Sequence, residues 1–382
     1  MTLLERTAIP AARYADRLAG ARAALAGHGA GALLVGVGAD LRWLIGYEAM
    51  PLERLTLLVV PRDGTPAMLV PRLEMPRAAL APGVAAGLVR TIAWDETADP
   101  FGLVPGIVGP AMGRLLVSDR LWATFLLRLQ AAFPGAPFGL ASTALRELRM
   151  AKDADEVALL RAAAHAADRA VMAIARGRLV DRSEADVARE VRDRLVDAGH
   201  DAAAFWIVGS GPNSASPHHE PGDRRIGQCE PVVLDIGGHV GGYGSDITRT
   251  VWVGDGSPPD PEFVRLYDVV RRANAAGVAA VRPGVPCEDV DAAARSVVED
   301  AGYGPAFLHR TGHGIGLEEH EDPYLVAGNV EPLREGHAFS IEPGIYLEGR
   351  FGARVEDIVV CSTVGADVLN EAPRELLVVE GR

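Results

Sequence analysis

Two hydrophobic periods run through this chain, and where they change suggests how it is built. Up to about residue 150, short apolar runs alternate with amphipathic stretches. Arg13 to Ala26 is alanine-rich with a helical period, and GALLVGV after it has the length and composition of a strand. LTLLVV and PAMLV repeat the strand signal, with the turn residues Pro61 to Gly64 between them. Leu115 to Asp119 is a further predicted strand, followed by a helix through Leu129. This pattern predicts an α/β layer, a sheet covered by helices. Next, Asp153 and Glu156 stand at capping-box spacing ahead of Val157, Leu160, Ala164, Ala167, Val171 and Ile174, one apolar face of a long helix. The expected boundary therefore falls at Lys152–Asp153, giving domains 1–150 and 151–382. The second domain is predicted to hold helices over Ser183–Ala198, Pro261–Val281 and Cys287–Ala301. Its predicted strands are Val232–Asp235, Ile247–Val253, Phe339–Ile341, Ile345–Leu347 and Arg354–Cys361.

Composition narrows the function classes. The 382 residues are 48% hydrophobic, enough for two cores, and the formal net charge of −13 with no basic stripe argues against nucleic acid. The N-terminal MTLLERTAIPAARYADRL is interrupted by charges, so it does not read as a secretion signal, and Ala30–Ala39 is too short to span a membrane. A cytoplasmic protein without membrane partners is expected. Cys229, Cys287 and Cys361 are widely spaced and lack a CxxC, which predicts buried thiols rather than disulfides or a zinc knuckle.

The chemistry concentrates in five short segments: VVLDIGG, YGSDITRT, TGHGIG, SIEPGIY and ARVEDIVV. They carry Asp235, Asp246, His313, Glu342 and Glu356. Oxygen-rich donors with one imidazole suit two hard or borderline divalent cations, and four converging carboxylates need such cations if they are not to protonate. The glycine-rich GGHVGGYGS can reverse the chain and return Asp246 beside Asp235 on a neighbouring strand, although aspartate also starts and caps turns. Glu342 lies in an otherwise apolar run, where a lone charge needs a cation, hydrogen bonds or a raised pKa. Glu356 and Asp357 would point to opposite faces of a strand, so only one can join the cluster. The EGRFG segment between the two glutamates reads as a hairpin loop. His313 sits between glycines, and His218 and His320 lie in further Gly/Pro-punctuated loops of the same domain.

These segments, in this order and spacing, resemble the pita-bread metallopeptidases, specifically the prolidase and Xaa-Pro aminopeptidase branch. The similarity extends over the chain: LRWLIGYEAMPLERLTLLVV resembles a creatinase-type N-terminal domain, and LRMAKDADEVALLRAAA the family's inter-domain helix. The resemblance implies an α/β N-terminal domain followed by an α+β pita-bread catalytic domain. It implies that Asp235 chelates one ion, Asp246 and Glu356 bridge two, and His313 with Glu342 holds the second. It further implies attack by a hydroxide between the ions, with Glu342 carrying the proton and His218 and His320 positioning substrate and stabilising the oxyanion. Manganese is the expected metal, with cobalt next and zinc behind them. A homodimer is implied, with the N-terminal domain of one subunit near the other's active site, and a proline-containing peptide is the implied substrate.

Strict dipeptidases of this branch carry an arginine shortly after the His-Glu pair, where this chain has Tyr324. A tyrosine hydroxyl can bond a substrate carboxylate but brings no charge. Arg354, two residues before Glu356, is the other candidate for that carboxylate, or else an ion-pair partner of a ligand. The tyrosine points to an Xaa-Pro aminopeptidase, releasing the residue before proline, ahead of a dipeptide-restricted prolidase. Two alternatives stay open: a metal-dependent hydrolase of a small non-peptide amide or cyclic compatible solute, and a non-catalytic peptide-binding module.

Overall fold

The structure is a computed structural model that describes residues 9–109 and 113–380. It divides into two compact units, Ala8–Arg149 and a second that takes in Met150–Arg382.

In the first unit, six strands form one mixed sheet: β1 (Ala30–Val35), β2 (Leu57–Pro61), β3 (Ala67–Pro71), β4 (Arg90–Trp94), β5 (Arg114–Val117) and β6 (Phe138–Leu140). Their order is β4-β3-β2-β1-β5-β6, with β1 antiparallel to β2 and parallel to β5. Every residue of β1, β2 and β3 is buried, as expected for a sheet covered on both faces. Alternation sorts the side chains: Ala32, Leu34, Leu57, Val59, Leu115 and Val117 share one core with Val104, Val108 and Leu129.

The second unit opens with the helix Ala154–Ala175. Its Asp153 side chain accepts from the backbone of Asp155 and Glu156, and Glu156 returns the bond, so the capping box forms. The helices Glu184–Asp197, Pro261–Ala280 and Cys287–Asp300 follow within a residue or so of their predicted limits. One sheet is built from β7 (Ala202–Ser210), β8 (Glu230–Val240), β9 (Tyr243–Gly244) and β10 (Ile247–Gly254). Another contains β11 (Gly312–Gly314), β12 (Glu321–Leu325) and β13 (Ala338–Ile341). β14 (Gly344–Leu347) and β15 (Phe351–Arg354) form a separate hairpin. β16 (Asp357–Ser362) and β17 (Gly365–Val368) extend the second sheet, and β18 (Leu377–Glu380) extends the first.

Arg354–Cys361 is therefore not one strand. β15 pairs with β14 and β16 pairs with β13, and the chain crosses between them at Val355–Glu356, where the Glu356 N–H donates to the Thr248 carbonyl at 3.1 Å. Changing sheets costs the ladder its regular period. Arg354 and Glu356 consequently cannot be assigned to one strand face by alternation. Cys287 and Cys361 are buried, but Cys229 is exposed: it sits in the turn before β8 with a φ of 59°. Among the described residues, no helix is long and apolar enough to cross a membrane.

Candidate metal centre

The first sheet supplies its acids by alternation. Val232, Leu234 and Ile236 of β8 pack into the core formed with helices Ala154–Ala175 and Glu184–Asp197, so Asp235 between them faces the other way. Antiparallel pairing sets Asp235 opposite Thr248 of β10 and Ile207 of β7. Asp246 ends the β9–β10 connection just before Ile247.

The second sheet supplies the rest. His313 lies on the short strand β11 rather than in a loop, because the glycines beside it let two neighbours close in. A Cβ on Gly312 would collide with the Ser340 carbonyl of β13, and one on Gly314 with the Asp322 carbonyl of β12. Glu342 follows β13, its N–H held by the Thr311 carbonyl at 2.8 Å. Asp357, next to Glu356, is taken by Arg249 at 2.7 Å and Arg374 at 2.6 Å, leaving Glu356 for the cluster.

All five residues line one cavity of about 500 Å³, together with His218, His309, Arg310, His320, Arg354, Phe205 and Ile207. One donor atom each from Asp246, His313 and Glu356 lies within 4.8 Å of the others. His313 Nε2 stands 3.4 Å from Glu342 Oε1 and 3.6 Å from Asp246 Oδ2. Its Nδ1 bonds the Gly314 carbonyl at 3.1 Å and must be the protonated nitrogen, since a carbonyl only accepts. Burial holds the imidazole neutral, with its pKa pushed down to about 3. Its bare Nε2 lone pair thus faces the carboxyl oxygens of Glu342 and Asp246.

Two of the carboxylates are incompletely satisfied. Asp235 Oδ1 and Glu356 Oε1 are buried without a hydrogen-bond partner. Burial, then repulsion from Glu356 and Asp235, pushes Asp246 well above the carboxylate range. Burial and Glu342 do the same to Glu356. Glu342 rises to about 7, chiefly through burial, with Arg354 opposing. Lone pairs converging in a dry pocket, with orphaned oxygens among them, are what divalent cations would satisfy. The residues fit such ions.

Arg354 has settled employment. Its Nε donates to Thr248 Oγ1 at 2.9 Å, its Nη1 to the Tyr346 hydroxyl at 2.8 Å, and its Nη2 to Asp235. Thr248 in turn donates to Glu356 at 2.6 Å. His218 and His320 are exposed at the cavity wall, and the His320 ring meets His313 edge-on at 4.0 Å between centroids. Lys152 anchors the neighbouring Glu321 at 2.5 Å. Tyr324 lies across from His313 on β12 but is not among the residues lining the cavity.

Among the lining residues that escaped the sequence reading are His309 and Arg310. His309 bonds the Tyr346 hydroxyl through Nε2 at 3.0 Å and the Arg310 carbonyl through Nδ1 at 2.7 Å. Arg310 lies over the Tyr324 ring, 4.4 Å from its centroid. Both stand just before β11, and reading LHRTGHG as the edge of a strand would have drawn attention to them.

Two family models match the chain. The model described as metallopeptidase family M24 matches residues 158–363, and that of the creatinase/prolidase N-terminal domain matches residues 17–151. This chain belongs to metallopeptidase family M24. It is an enzyme with the family's pita-bread catalytic domain, preceded by a creatinase-type domain. A curated relative of this M24 peptidase, a probable dipeptidase PepE of Mycobacterium tuberculosis, is 47% identical over 368 residues, 96% of either chain. The crystal structure of dipeptidase PepE from Mycobacterium ulcerans matches with a TM-score of 0.91 at 46% identity, covering 98% of this chain and 100% of the other. A prolidase from Thermococcus sibiricus matches at 0.88 and 34% identity, over 96% and 99%.

Proposed function

We propose that this enzyme hydrolyses the bond between any first residue and a following proline, with dipeptides as its preferred substrates. The observation that carries hydrolysis is the convergence of Asp235, Asp246, His313, Glu342 and Glu356 in one cavity, with Asp235 Oδ1 and Glu356 Oε1 buried and unpartnered. The relatives named dipeptidase and prolidase support the substrate class.

Two divalent cations would be held by those five residues, Asp235 toward one, His313 and Glu342 toward the other, with Asp246 and Glu356 shared. Oxygen-rich ligation favours manganese, and the family resemblance adds cobalt as the alternative. Bound cations of this kind lower the pKa of water from about 15.7 to near 7 and polarise the scissile carbonyl. Glu342 takes the proton as water adds to the carbonyl carbon, and returns it to the prolyl nitrogen as the C–N bond breaks. Proline's nitrogen carries no hydrogen in the substrate, so this proton creates the secondary amine that leaves. His218 and His320 orient the peptide and donate toward the developing oxyanion. Arg354 fixes Asp235, and through Thr248 it fixes Glu356.

The test is metal-stripped protein with manganese restored, offered Ala-Pro, Ala-Pro-Ala and longer peptides. Ala-Pro should be cleaved fastest. Equal or faster cleavage of the longer series supports the second reading, an Xaa-Pro aminopeptidase, which the uncharged Tyr324 favours. Failure to cleave any member ends both.

A further inference from the structure

The cations that line the cavity are not alike. Each nitrogen of the Arg354 guanidinium already donates to a protein oxygen, and the residue is only 3% exposed. Arg310 is half-buried and lines the same cavity, and among the described residues its guanidinium makes no hydrogen bond and no ion pair. What holds it is the Tyr324 ring beneath it. A guanidinium resting over an aromatic ring is held in place while its N–H groups stay available at the edge. An arginine fork left open beside a reaction site is suited to a planar anion.

We propose that Arg310 is the receptor for the free C-terminal carboxylate of the substrate, with Tyr324 as its positioning residue. This deepens the reading of the cavity as an Xaa-Pro hydrolase and rests on it. In an Xaa-Pro dipeptide the carboxylate lies one residue beyond the scissile bond. In a longer peptide the same place holds a neutral amide carbonyl, which cannot match the fork's charge. A cation there selects dipeptides. Tyr324 does not need to touch substrate: the charge missing at its position enters from Arg310, across the β11–β12 pair.

Calorimetry on the manganese-loaded protein tests this. The probes are an Ala-Pro analogue with a methylene in place of the scissile carbonyl, and the same analogue as its C-terminal carboxamide. The kcat/KM values for Ala-Pro and Ala-Pro-amide are measured beside them. The natural protein should prefer the acid over the amide at least tenfold in both readouts. Arg310→Met should bring that ratio close to one, Arg310→Lys should keep part of it, and Tyr324→Leu should reduce it. Melting temperature and metal content show that each variant is folded and loaded. A ratio in Arg310→Met equal to that of the natural protein overturns the assignment, while turnover of Ala-Pro keeps the functional reading intact. A loaded natural protein that cleaves no Xaa-Pro substrate overturns that reading itself, and the assignment with it.

Discussion

Two clusters of buried acids in the catalytic unit are treated in opposite ways. Glu184, fully buried at the start of its helix, accepts from the Ser210 N–H at 2.8 Å and hydroxyl at 2.7 Å, from Asn213, and from His219 at 2.7 Å. Arg224 joins the Ser210 hydroxyl and pairs with Glu230 at 2.6 Å. Burial alone would raise the Glu184 pKa, yet the bonds from Ser210, His219 and Asn213 outweigh it and hold it below the usual range. The cavity acids have fewer donors, Arg354 on Asp235, Thr248 on Glu356 and Ser340 on Glu342, with Asp235 Oδ1 and Glu356 Oε1 left unpaired, and Asp246 and Glu356 are pushed up. The protein satisfies a buried carboxylate where the acid is scaffolding. It leaves carboxylates hungry where an ion belongs. Burial and charge are common to the two clusters, so donor supply is what separates site from scaffold.

Removing Glu342 should break the contrast most severely. Glu342→Ala deletes a metal-type donor and the proposed proton carrier together, so turnover should fall at least about 10³-fold, read as kcat on Ala-Pro. His218→Ala comes next, at roughly 10²-fold in kcat, since it removes a donor to substrate from the cavity rim and no member of the acceptor cluster. Its metal content, measured by elemental analysis, should match that of the natural protein. Loss of metal would move His218 into the ligand set.

Stability sharpens the same contrast. Saturating manganese should raise the melting temperature of stripped protein, since a ligand at 100 times its Kd contributes about 2.7 kcal/mol. Glu184→Gln should lower stability by about 1–3 kcal/mol in the presence or absence of manganese, because its donors are protein groups. A Glu184→Gln loss that appears only without metal would merge the two clusters into one.

How much of this was legible beforehand follows from how local each signal is. Asp235 could be read because it ends the apolar run Val232–Leu234, and Asp153 because its cap is completed three residues away. The seam at Val355–Glu356 could not, since what breaks the strand is a bond to Thr248, more than a hundred residues back. β12 was hidden by its own composition: EDPYL begins with two acids and holds a proline, and it becomes a strand by pairing with β11. β7 went unread although AAAFWIV is apolar, because both of its faces are used, Val208 toward the helices and Phe205 with Ile207 toward the cavity. Arg310 was invisible for a related reason. A lone arginine in a loop carries no message until Tyr324 folds under it.

The smallest expected effect concerns a buried histidine bonded beside Asp246. His200 bonds the Leu195 carbonyl through Nδ1 at 2.9 Å and the hydroxyl of Ser245, the neighbour of Asp246, through Nε2 at 2.9 Å. Its Nδ1 therefore carries the proton and Nε2 accepts. Burial pushes its pKa down to about 4 from 6.5, so the folded protein keeps it neutral where the unfolded chain would charge it. The unfolded state binds more protons between those two values, hence stability is complete above pH 6.5 and falls as pH drops toward 4. One pH unit inside that window is worth about 1.4 kcal/mol. His309 and His313, also pushed down to about 4 and about 3, titrate over the same range. A difference measurement isolates His200. Unfolding free energies of the natural protein and of His200→Asn, from urea titrations, should converge by about 1 kcal/mol between pH 6.5 and pH 5.5, above the range in which Glu184 titrates. Parallel curves would mean that the Ser245 bond survives protonation, and that His200 is scaffold with no acid sensitivity of its own.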